Sequence, residues 1–249
     1  MLEINEIFGP TIQGEGKLVG SPSVFIRFGK CNFKCEGFAV EYETPSGVKK
    51  CACDTYYAVD TEFKDTWTKY KSYEEIVNEV DKLISIYPYN YKIDIVITGG
   101  EPLLYWNKEE FQKLLEHYIN AGHKVTIETN ASLNLNIDKE YQKELLFSMS
   151  VKLSNSLEPI KKRININTLN TILNNTKESY LKFVIGKDFL NDAKKEINEI
   201  LSLIPKCDVY LMPLGDTAEQ INKNCEDVIN MSIENGFKYC DRLHIRVWN

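Results

Sequence analysis

Four of the seven cysteines of this chain lie within one short stretch near its start. The stretch reads CNFKC at residues 31–35 and CACDT at residues 51–55. Thiolates are ligands for zinc and for iron–sulfur clusters, and clustered cysteines in a reducing compartment more often bind metal than form disulfides. The spacing therefore predicts a metal centre or an iron–sulfur centre, with small apolar filler side chains as the plainest alternative.

The segment between Cys35 and Cys53 is predicted to form a β-hairpin, because VEYE and VKK flank the turn-forming residues TPSG. A hairpin returns the chain to where it left, so Cys53 can lie beside Cys35. Three thiolates, from Cys31, Cys35 and Cys53, can hold three irons of a four-iron cluster and leave the fourth iron open for a cofactor. If Cys51 joins them, four thiolates can instead close a tetrahedral zinc site.

Composition excludes several classes of function. The chain has 249 residues, 43% of them apolar, and a net charge of −6, which disfavours non-specific binding to nucleic acid or to a membrane surface. The first residues, MLEINEIFGP, have no signal-peptide pattern, and no run approaches the roughly 18 apolar residues of a membrane span. We expect a cytoplasmic protein that forms one domain over residues 1–249, since no linker or low-complexity tract divides it.

Apolar, β-rich runs alternate with helical patterns along the chain. The predicted strands are 23–28, 93–98, 124–129, 147–153, 180–186 and 208–214. The predicted helices are 72–87, with Ser72 as N-cap, 108–122, with Gly122 at its C-terminal end, 191–204 and 217–236. The asparagine-rich stretch 165–175 is interpreted as loop and short helix.

About six strand–helix alternations indicate a parallel sheet, as in an incomplete (β/α) barrel or an open doubly wound sheet. Chemistry in such folds lies at the carboxyl ends of the strands. Unusual residues follow those ends here, namely GKCNFKC, TGGEP, ETN, SVK and MPLGD. These loops are predicted to form one site together.

Several stretches, in order, give the sequence a resemblance to radical SAM enzymes, and among them to the 7-carboxy-7-deazaguanine synthases of queuosine and 7-deazapurine biosynthesis. They are INEIFGPTIQGEGKLVGSPSVFIRFGKCNFKC (4–35), CDT (53–55), TGGEP (98–102), ETN (128–130), SVK (150–152) and MPLGD (212–216). The resemblance implies an incomplete (β/α)6 barrel of radical SAM type with a hairpin inserted in the cluster loop. It departs from the family at residues 36–52, because the usual pattern places the second and third cysteines only two residues apart. The CNFKC context favours Cys35 over Cys51 as the second ligand.

The resemblance also implies a set of site residues. A 4Fe-4S cluster would be held by Cys31, Cys35 and Cys53, and Mg²⁺ by Thr55, with Asp54 as the competing choice from charge alone. S-adenosyl-L-methionine would be bound by Ala52, Asp54, Gly99, Gly100, Glu101, Glu128, Thr129, Asn130, Ser150, Val151, Lys152, Met212, Pro213, Leu214 and Gly215. The substrate, 6-carboxy-5,6,7,8-tetrahydropterin, would be bound by Ile12, Gln13, Gly14, Glu15, Arg27, Thr98 and His244.

By the same resemblance the chain would be a carbon–nitrogen lyase that contracts the pterin ring to 7-carboxy-7-deazaguanine and releases ammonia. An electron donor of flavodoxin or ferredoxin type and a homodimer are expected with it, and no nucleic-acid or membrane partner. Two alternatives remain open on the sequence. One is a different radical SAM enzyme, such as a glycyl-radical activase, and the other is a zinc-stabilised binding protein.

Overall fold

A computed structural model describes residues 1–87 and 90–248 of the chain. Within these residues the strands are β1 (Leu2–Ile12), β2 (Pro22–Phe28), β3 (Val40–Glu43), β4 (Lys49–Ala52), β5 (Thr68–Tyr70), β6 (Asp94–Gly99), β7 (Val125–Thr129), β8 (Leu146–Ser150), β9 (Tyr180–Ile185), β10 (Val209–Pro213) and β11 (Lys238–Tyr239). The α-helices are α1 (Tyr56–Val59), α2 (Tyr73–Ile84), α3 (Glu109–Asn120), α4 (Glu140–Lys143), α5 (Ile160–Arg163), α6 (Ile166–Asn175), α7 (Leu190–Leu201), α8 (Ala218–Asn235) and α9 (Leu243–Trp248).

In the described part of the chain, nine strands form one sheet in the order β11-β10-β9-β8-β7-β6-β2-β1-β5. The run from β2 through β6, β7, β8 and β9 to β10 is parallel throughout, which confirms the predicted α/β class. These strands are apolar because both of their faces are covered; in β6, for example, Ile95, Val96 and Ile97 are at most 1% exposed. At the other end, β1 is antiparallel to β2, and the short β5 is antiparallel to β1.

The sheet curves around a cavity at the carboxyl ends of its parallel strands. Side chains from distant strands line this cavity together, among them Ile12, Arg27, Thr98, Lys182 and Met212. In a flat sheet, five spacings of about 4.8 Å would hold β1 and β9 roughly 24 Å apart. Glu15 nevertheless lies only three residues beyond β1 and forms an ion pair with Lys182 of β9. The curvature brings the strand ends around a common space.

Most predicted elements are present, with four differences. Strand β8 ends at Ser150 instead of continuing to residue 153, and residues 166–175 form the regular helix α6. Ser72 occupies the N-cap position of α2, but its side chain makes no capping hydrogen bond. Strand β1 was not predicted, and a Gly-Pro pair at residues 9–10 lies within it. The strand accommodates it through a register shift between Phe8 and Thr11, and β5 pairs only with residues 2–4.

The predicted hairpin insertion is confirmed as β3 and β4, which pair in antiparallel register with Val40 opposite Ala52. Its turn is exposed to solvent, and one side of it docks on the segment that follows Cys53. The Tyr42 ring stacks on Tyr56 with centroids 4.2 Å apart, and the Tyr42 hydroxyl donates to Asp60 at 2.8 Å. The insertion therefore holds residues 53–60 in place and returns the chain close to Cys35.

Candidate active site

A cavity of about 690 Å³ opens at the carboxyl ends of the parallel strands. Nearly all of the site residues predicted from the sequence line it: Ile12, Gln13, Gly14, Glu15, Arg27, Cys31, Cys35, Cys53, Asp54, Thr55, Thr98, Gly99, Gly100, Glu128, Thr129, Asn130, Ser150, Lys152, Met212, Leu214, Gly215 and His244. Four predicted residues do not line it, namely Ala52, Glu101, Val151 and Pro213, and all four are buried. Loops scattered along the sequence therefore meet at one place.

The thiols of Cys31, Cys35 and Cys53 lie at one end of the cavity, which we call the cluster end. Burial raises the pKa of Cys35 to about 12, and it also raises the pKa values of Cys31 and Cys53, so all three are protonated without metal. Repulsion from the charged form of Cys53 adds to the shifts of Cys31 and Cys35, and all three cysteines line the same cavity. Cations bound among them would replace those protons.

The donor set fits an iron–sulfur cluster better than zinc. Cys51 is exposed on β4, opposite Glu41, and does not reach the cavity, so the four-thiolate zinc site is not assembled. Among residues 1–87 and 90–248, no three His, Cys, Asp or Glu side chains converge closely enough to hold a single metal ion. A four-iron cluster is larger than one ion, and it needs thiolates that surround a wider space. The thiols of Cys31, Cys35 and Cys53 line one cavity without converging on a single ion, which suits such a cluster.

Main-chain hydrogen bonds position the loop that carries Cys31. The Gly100 N–H donates to the Phe28 carbonyl oxygen at 3.0 Å, and the Glu101 N–H donates to the Lys30 carbonyl oxygen at 2.8 Å. A Cβ at residue 100 would lie 2.0 Å from that Lys30 oxygen, so the close approach requires glycine. The GGEP loop thus extends the β2–β6 pairing into the cysteine loop.

Glu101 acts inside the protein and not at the cavity wall. Its carboxylate is fully buried and accepts hydrogen bonds from the Thr129 hydroxyl at 2.6 Å and the Asn130 N–H at 2.7 Å. It also accepts the Leu103 N–H at 2.9 Å. Burial raises the pKa of Glu101, although these hydrogen bonds oppose the shift. The side chain ties the GGEP loop to the ETN loop, which positions Thr129 and Asn130 on the cavity.

The loop of Cys35 is fixed by a different contact. The Lys34 and Cys35 N–H groups both donate to Oε1 of Glu158, at 2.6 Å and 3.1 Å. Gly37 lies against the Asn155 carbonyl oxygen, where a Cβ would come within 2.0 Å. Residues 154–158 therefore support the second predicted cluster ligand, in a role that no motif in the sequence indicates.

Thr55 lies at the N-cap position of α1 but makes no capping hydrogen bond with its side chain. Its hydroxyl points to the cavity and lies 3.4 Å from Sγ of Cys53. An oxygen ligand for a hard cation is thus available next to the cluster end. The neighbouring Asp54, the competing choice, is already ion-paired with Arg242.

A second part of the cavity wall, which we call the substrate end, is built from charged side chains: Glu15, Arg27, Lys182 and Arg242. Burial alone would raise the pKa of Glu15, but Lys182 and Arg242 outweigh it and hold that pKa well below its usual value. His244 lies 3.9 Å from the same carboxylate, and burial lowers its pKa. Glu15 is therefore an ionised acceptor beside a neutral imidazole.

Sequence reasoning missed Lys182 and Arg242. Lys182 has a signal, because it is a lone cation within the apolar strand run YLKFVI, and its side chain is only 5% exposed. A lysine buried that deeply needs an acidic partner. Arg242 has no such signal, since it follows a short polar turn near the C-terminus. Trp248, to which the sequence assigned no role, also lines the cavity.

Arg27 lies on β2 with its side chain 14% exposed. Its Nε donates to Glu6 at 2.7 Å, and its guanidinium lies 5.6 Å from the Phe8 ring centroid and 5.8 Å from that of Tyr57. These contacts orient the cation toward the cavity, where a guanidinium can receive a carboxylate through two parallel hydrogen bonds.

Glu128 joins two sets of residues that the sequence predictions kept apart. Its carboxylate accepts hydrogen bonds from Gln13 Nε2 at 3.1 Å and from the Thr98 hydroxyl at 2.7 Å. Gln13 and Thr98 were assigned to the substrate and Glu128 to the cofactor. The three side chains therefore form one polar group in the middle of the cavity.

Comparison with known proteins supports the resemblance that the sequence motifs indicated. Residues 26–228 match the model of the radical SAM superfamily. A 7-carboxy-7-deazaguanine synthase of Halobacterium salinarum is 29% identical, over 100% of this chain and 91% of that protein. The synthase of the same name from Rhodopirellula baltica is 30% identical, over 94% of this chain and 82% of that protein.

Solved structures share the fold. The crystal structure of QueE from Escherichia coli has a TM-score of 0.63 at 20% identity and covers 98% of this chain and 94% of its own. The crystal structure of Streptococcus suis SuiB has a TM-score of 0.51 at 14% identity, over 89% of this chain and 48% of its own. No helix in the described part of the chain is long and apolar enough to cross a membrane.

Proposed function

Because this chain belongs to the radical SAM superfamily and to its 7-carboxy-7-deazaguanine synthases, we propose that it contracts 6-carboxy-5,6,7,8-tetrahydropterin to 7-carboxy-7-deazaguanine. Ammonia leaves in this conversion, which makes the enzyme a carbon–nitrogen lyase. The observation that carries the proposal is a single cavity that is lined both by the thiols of Cys31, Cys35 and Cys53 and by the charged side chains of Arg27 and Glu15. The cavity can therefore hold a redox cofactor and an anionic heterocycle side by side.

The cluster end would hold a 4Fe-4S cluster on Cys31, Cys35 and Cys53, with S-adenosyl-L-methionine beside it. When bound, this pair supplies a 5′-deoxyadenosyl radical that abstracts hydrogen from the substrate. The protein must keep water and stray C–H groups away from such a species. Rings of Phe8, Phe25, Phe33 and Phe38 line the cavity and suit that task.

The cofactor would extend along the strand ends from the GGEP loop. Glu128, Thr129 and Asn130 would meet its ribose, and Ser150, Lys152 and the residues Met212–Gly215 would line the remainder. Lys152 donates to the Ser150 hydroxyl at 2.8 Å, and its ammonium lies 5.4 Å from the Phe38 ring centroid, so it is held near the cluster end. A fixed cation there suits the carboxylate of the cofactor.

At the substrate end, Arg27 would bind the substrate carboxylate. Ionised Glu15 would accept hydrogen bonds from the N–H groups of the pterin ring, and Gln13 would contribute its amide. Mg²⁺ is proposed to bind the Thr55 hydroxyl, with substrate oxygens and water completing its shell. One neutral hydroxyl is a weak ligand, so Mg²⁺ affinity should depend on the presence of substrate.

The electron is proposed to come from a donor of flavodoxin or ferredoxin type in the reducing cytoplasm. A second cavity of about 310 Å³, lined by Cys31, Phe33, Lys34 and Leu157, opens on the outer side of the cluster loop. Leu157 is 71% exposed, and Lys34 and Lys161 are exposed nearby. Lys34 and Lys162 in this lining suit contact with an acidic electron carrier, and Glu36 and Glu158 line the same cavity. Assembly as a homodimer is proposed on the family alone.

The direct test is a product assay. Protein reconstituted with iron and sulfide under anaerobic conditions is reduced and incubated with S-adenosyl-L-methionine, Mg²⁺ and 6-carboxy-5,6,7,8-tetrahydropterin. We expect 7-carboxy-7-deazaguanine in the mass spectrum and equimolar ammonia. Cleavage of the cofactor without any deazapurine would reject this substrate, and a colourless, iron-free protein after reconstitution would reject the radical chemistry altogether.

A further inference from the structure

The C-terminal segment brings one arginine to three loops at once. Nε of Arg242 donates to Oε1 of Glu15 at 3.0 Å, and Nη1 donates to the Gly215 carbonyl oxygen at 2.6 Å. Nη2 donates to the Asp54 carboxylate. The side chain is 12% exposed. All of its nitrogens are thus bonded to loops that line the same cavity.

The three partners belong to different parts of the proposed reaction. Asp54 stands between the third predicted cluster ligand and the predicted Mg²⁺ ligand. Gly215 ends the loop proposed to bind S-adenosyl-L-methionine, and Glu15 lies in the loop proposed for the pterin. A planar guanidinium fixes its donors in one rigid fork, so a shift of one partner displaces the other two.

The same segment also closes the cavity. The Leu243 N–H donates to the Gly14 carbonyl oxygen at 2.9 Å, and the His244 ring packs so closely on Gly14 that a Cβ there would lie 2.1 Å from Nδ1. Helix α9 therefore rests on the substrate loop, and Arg242 is the residue that links this helix to the cofactor loops. The loops proposed to bind the cofactor and the loop proposed to bind the substrate are therefore all hydrogen-bonded to Arg242.

We propose that Arg242 is a positioning residue that couples the binding of S-adenosyl-L-methionine to the binding of substrate. Cofactor that orders the loops of Asp54 and Gly215 also fixes the guanidinium, and through it the carboxylate of Glu15 that receives the substrate. Two ligands that order the same element assist each other equally, so substrate must tighten cofactor binding by the same factor. This inference rests on the proposed function, because it uses that cofactor and that substrate.

The test measures affinity and not turnover. The dissociation constant of S-adenosyl-L-methionine for reconstituted protein is measured by calorimetry with and without saturating 6-carboxy-5,6,7,8-tetrahydropterin. Coupling of this kind is worth about 5- to 150-fold. For the wild-type chain we expect the dissociation constant measured without the pterin, divided by that measured with it, to give a ratio within that range. In Arg242→Gln the ratio should fall to about one. In Arg242→Lys it should also fall, because an ammonium keeps the charge but cannot serve three fixed partners.

Arg27→Ala is the matched control, because Arg27 also serves the substrate end but touches neither Asp54 nor Gly215. It should weaken substrate binding and leave the ratio unchanged. If both Arg242 variants keep the wild-type ratio, or if Arg27→Ala loses it, the proposal is wrong. If wild-type protein makes the deazapurine but has a ratio of one, the coupling is wrong and the proposed function stands. Wild-type protein that binds no pterin and makes no product would remove the proposed function with it.

Discussion

At the cluster end of the cavity, hydrogen bonds donated by main-chain N–H groups hold the cysteine loops in place, whereas at the substrate end buried charges hold one another. The Cys31 loop is paired to the GGEP loop through the N–H groups of Gly100 and Glu101. Glu15, in contrast, depends on Lys182 and Arg242, which lie 167 and 227 residues away in sequence. Replacement of a cysteine leaves the first set of contacts intact, whereas replacement of Lys182 or Arg242 removes a partner of Glu15 from the second.

The difference has an energetic reason. A main-chain hydrogen bond remains when a cysteine is replaced, so the cluster end should lose its metal and keep its fold. A buried ion pair that loses one partner leaves an uncompensated charge, which costs about 3–5 kcal/mol. Substitutions at the cluster end should therefore reduce function without reducing stability, whereas substitutions at the substrate end should reduce both.

The largest effect is expected at the cluster end. Cys53→Ala removes a proposed ligand and should abolish the bound iron, while the melting temperature of the cluster-free chain changes little. Cys51→Ala is the matched control, since Cys51 is exposed on β4 and should be dispensable. Iron and sulfide analysis after anaerobic reconstitution measures both. Iron retained in Cys53→Ala, or lost in Cys51→Ala, would reverse the ligand assignment.

At the substrate end, Lys182→Met should destabilise the chain, because it leaves Glu15 with Arg242 as its remaining strong cationic partner in a buried site. We expect a loss of about 3 kcal/mol in the free energy of unfolding, measured with urea on the cluster-free chain. The double variant Glu15→Gln, Lys182→Met should recover part of that loss. If the single and double variants are equally unstable, the ion pair is not the cause.

Arg27→Ala should have a smaller effect, confined to substrate. A hydrogen-bonded charge pair contributes about 1.5–3 kcal/mol, so the KM for the pterin should rise by about 10- to 100-fold. Iron content should stay unchanged, because no contact links Arg27 to the thiols in the described residues. Kinetics and iron analysis on the same preparation give both numbers. An unchanged KM would remove Arg27 from the substrate end.

The smallest expected effect is a pH dependence. The pKa of Glu15 is lowered in the folded chain, so its stabilising contribution is present above its ordinary pKa of 4.5 and is lost as pH falls below that value. The difference in unfolding free energy between the wild type and Glu15→Gln should therefore shrink below pH 4.5. Urea unfolding of the cluster-free chains at pH 7 and at lower pH measures it. A difference independent of pH would mean that Glu15 is not held ionised by its neighbours.

The contrast between the two ends also explains what the sequence could predict. The cluster end is encoded in contiguous motifs, since CNFKC, CDT and GGEP each place their chemistry within a few residues of a strand end. The hairpin was predictable because its turn residues lie between two β-rich runs. Lys182 left a local signal as a lone cation in an apolar strand, but its partner Glu15 could not be predicted, and Arg242 left no signal. Their pairing depends on the curvature that brings β9 and the C-terminus to Glu15, and no local pattern encodes that curvature.

Sequence reasoning also placed Glu101 on the cofactor, because it stands within GGEP. The structure shows its carboxylate turned into the protein, where it ties two loops together. A motif fixes which loop approaches a ligand, but the direction of each side chain depends on which neighbours offer hydrogen bonds. The Thr129 hydroxyl and the Asn130 N–H donate those hydrogen bonds here, and both lie at the end of a different strand.

The most direct test concerns the three thiolates and the open iron that they leave. Electron paramagnetic resonance spectra of the reduced, reconstituted chain are recorded before and after saturating S-adenosyl-L-methionine is added. We predict that the cluster signal changes shape and g values, because three cysteine ligands would leave one iron open to the cofactor. An intact cluster whose spectrum is unchanged by the cofactor would contradict the three-cysteine site.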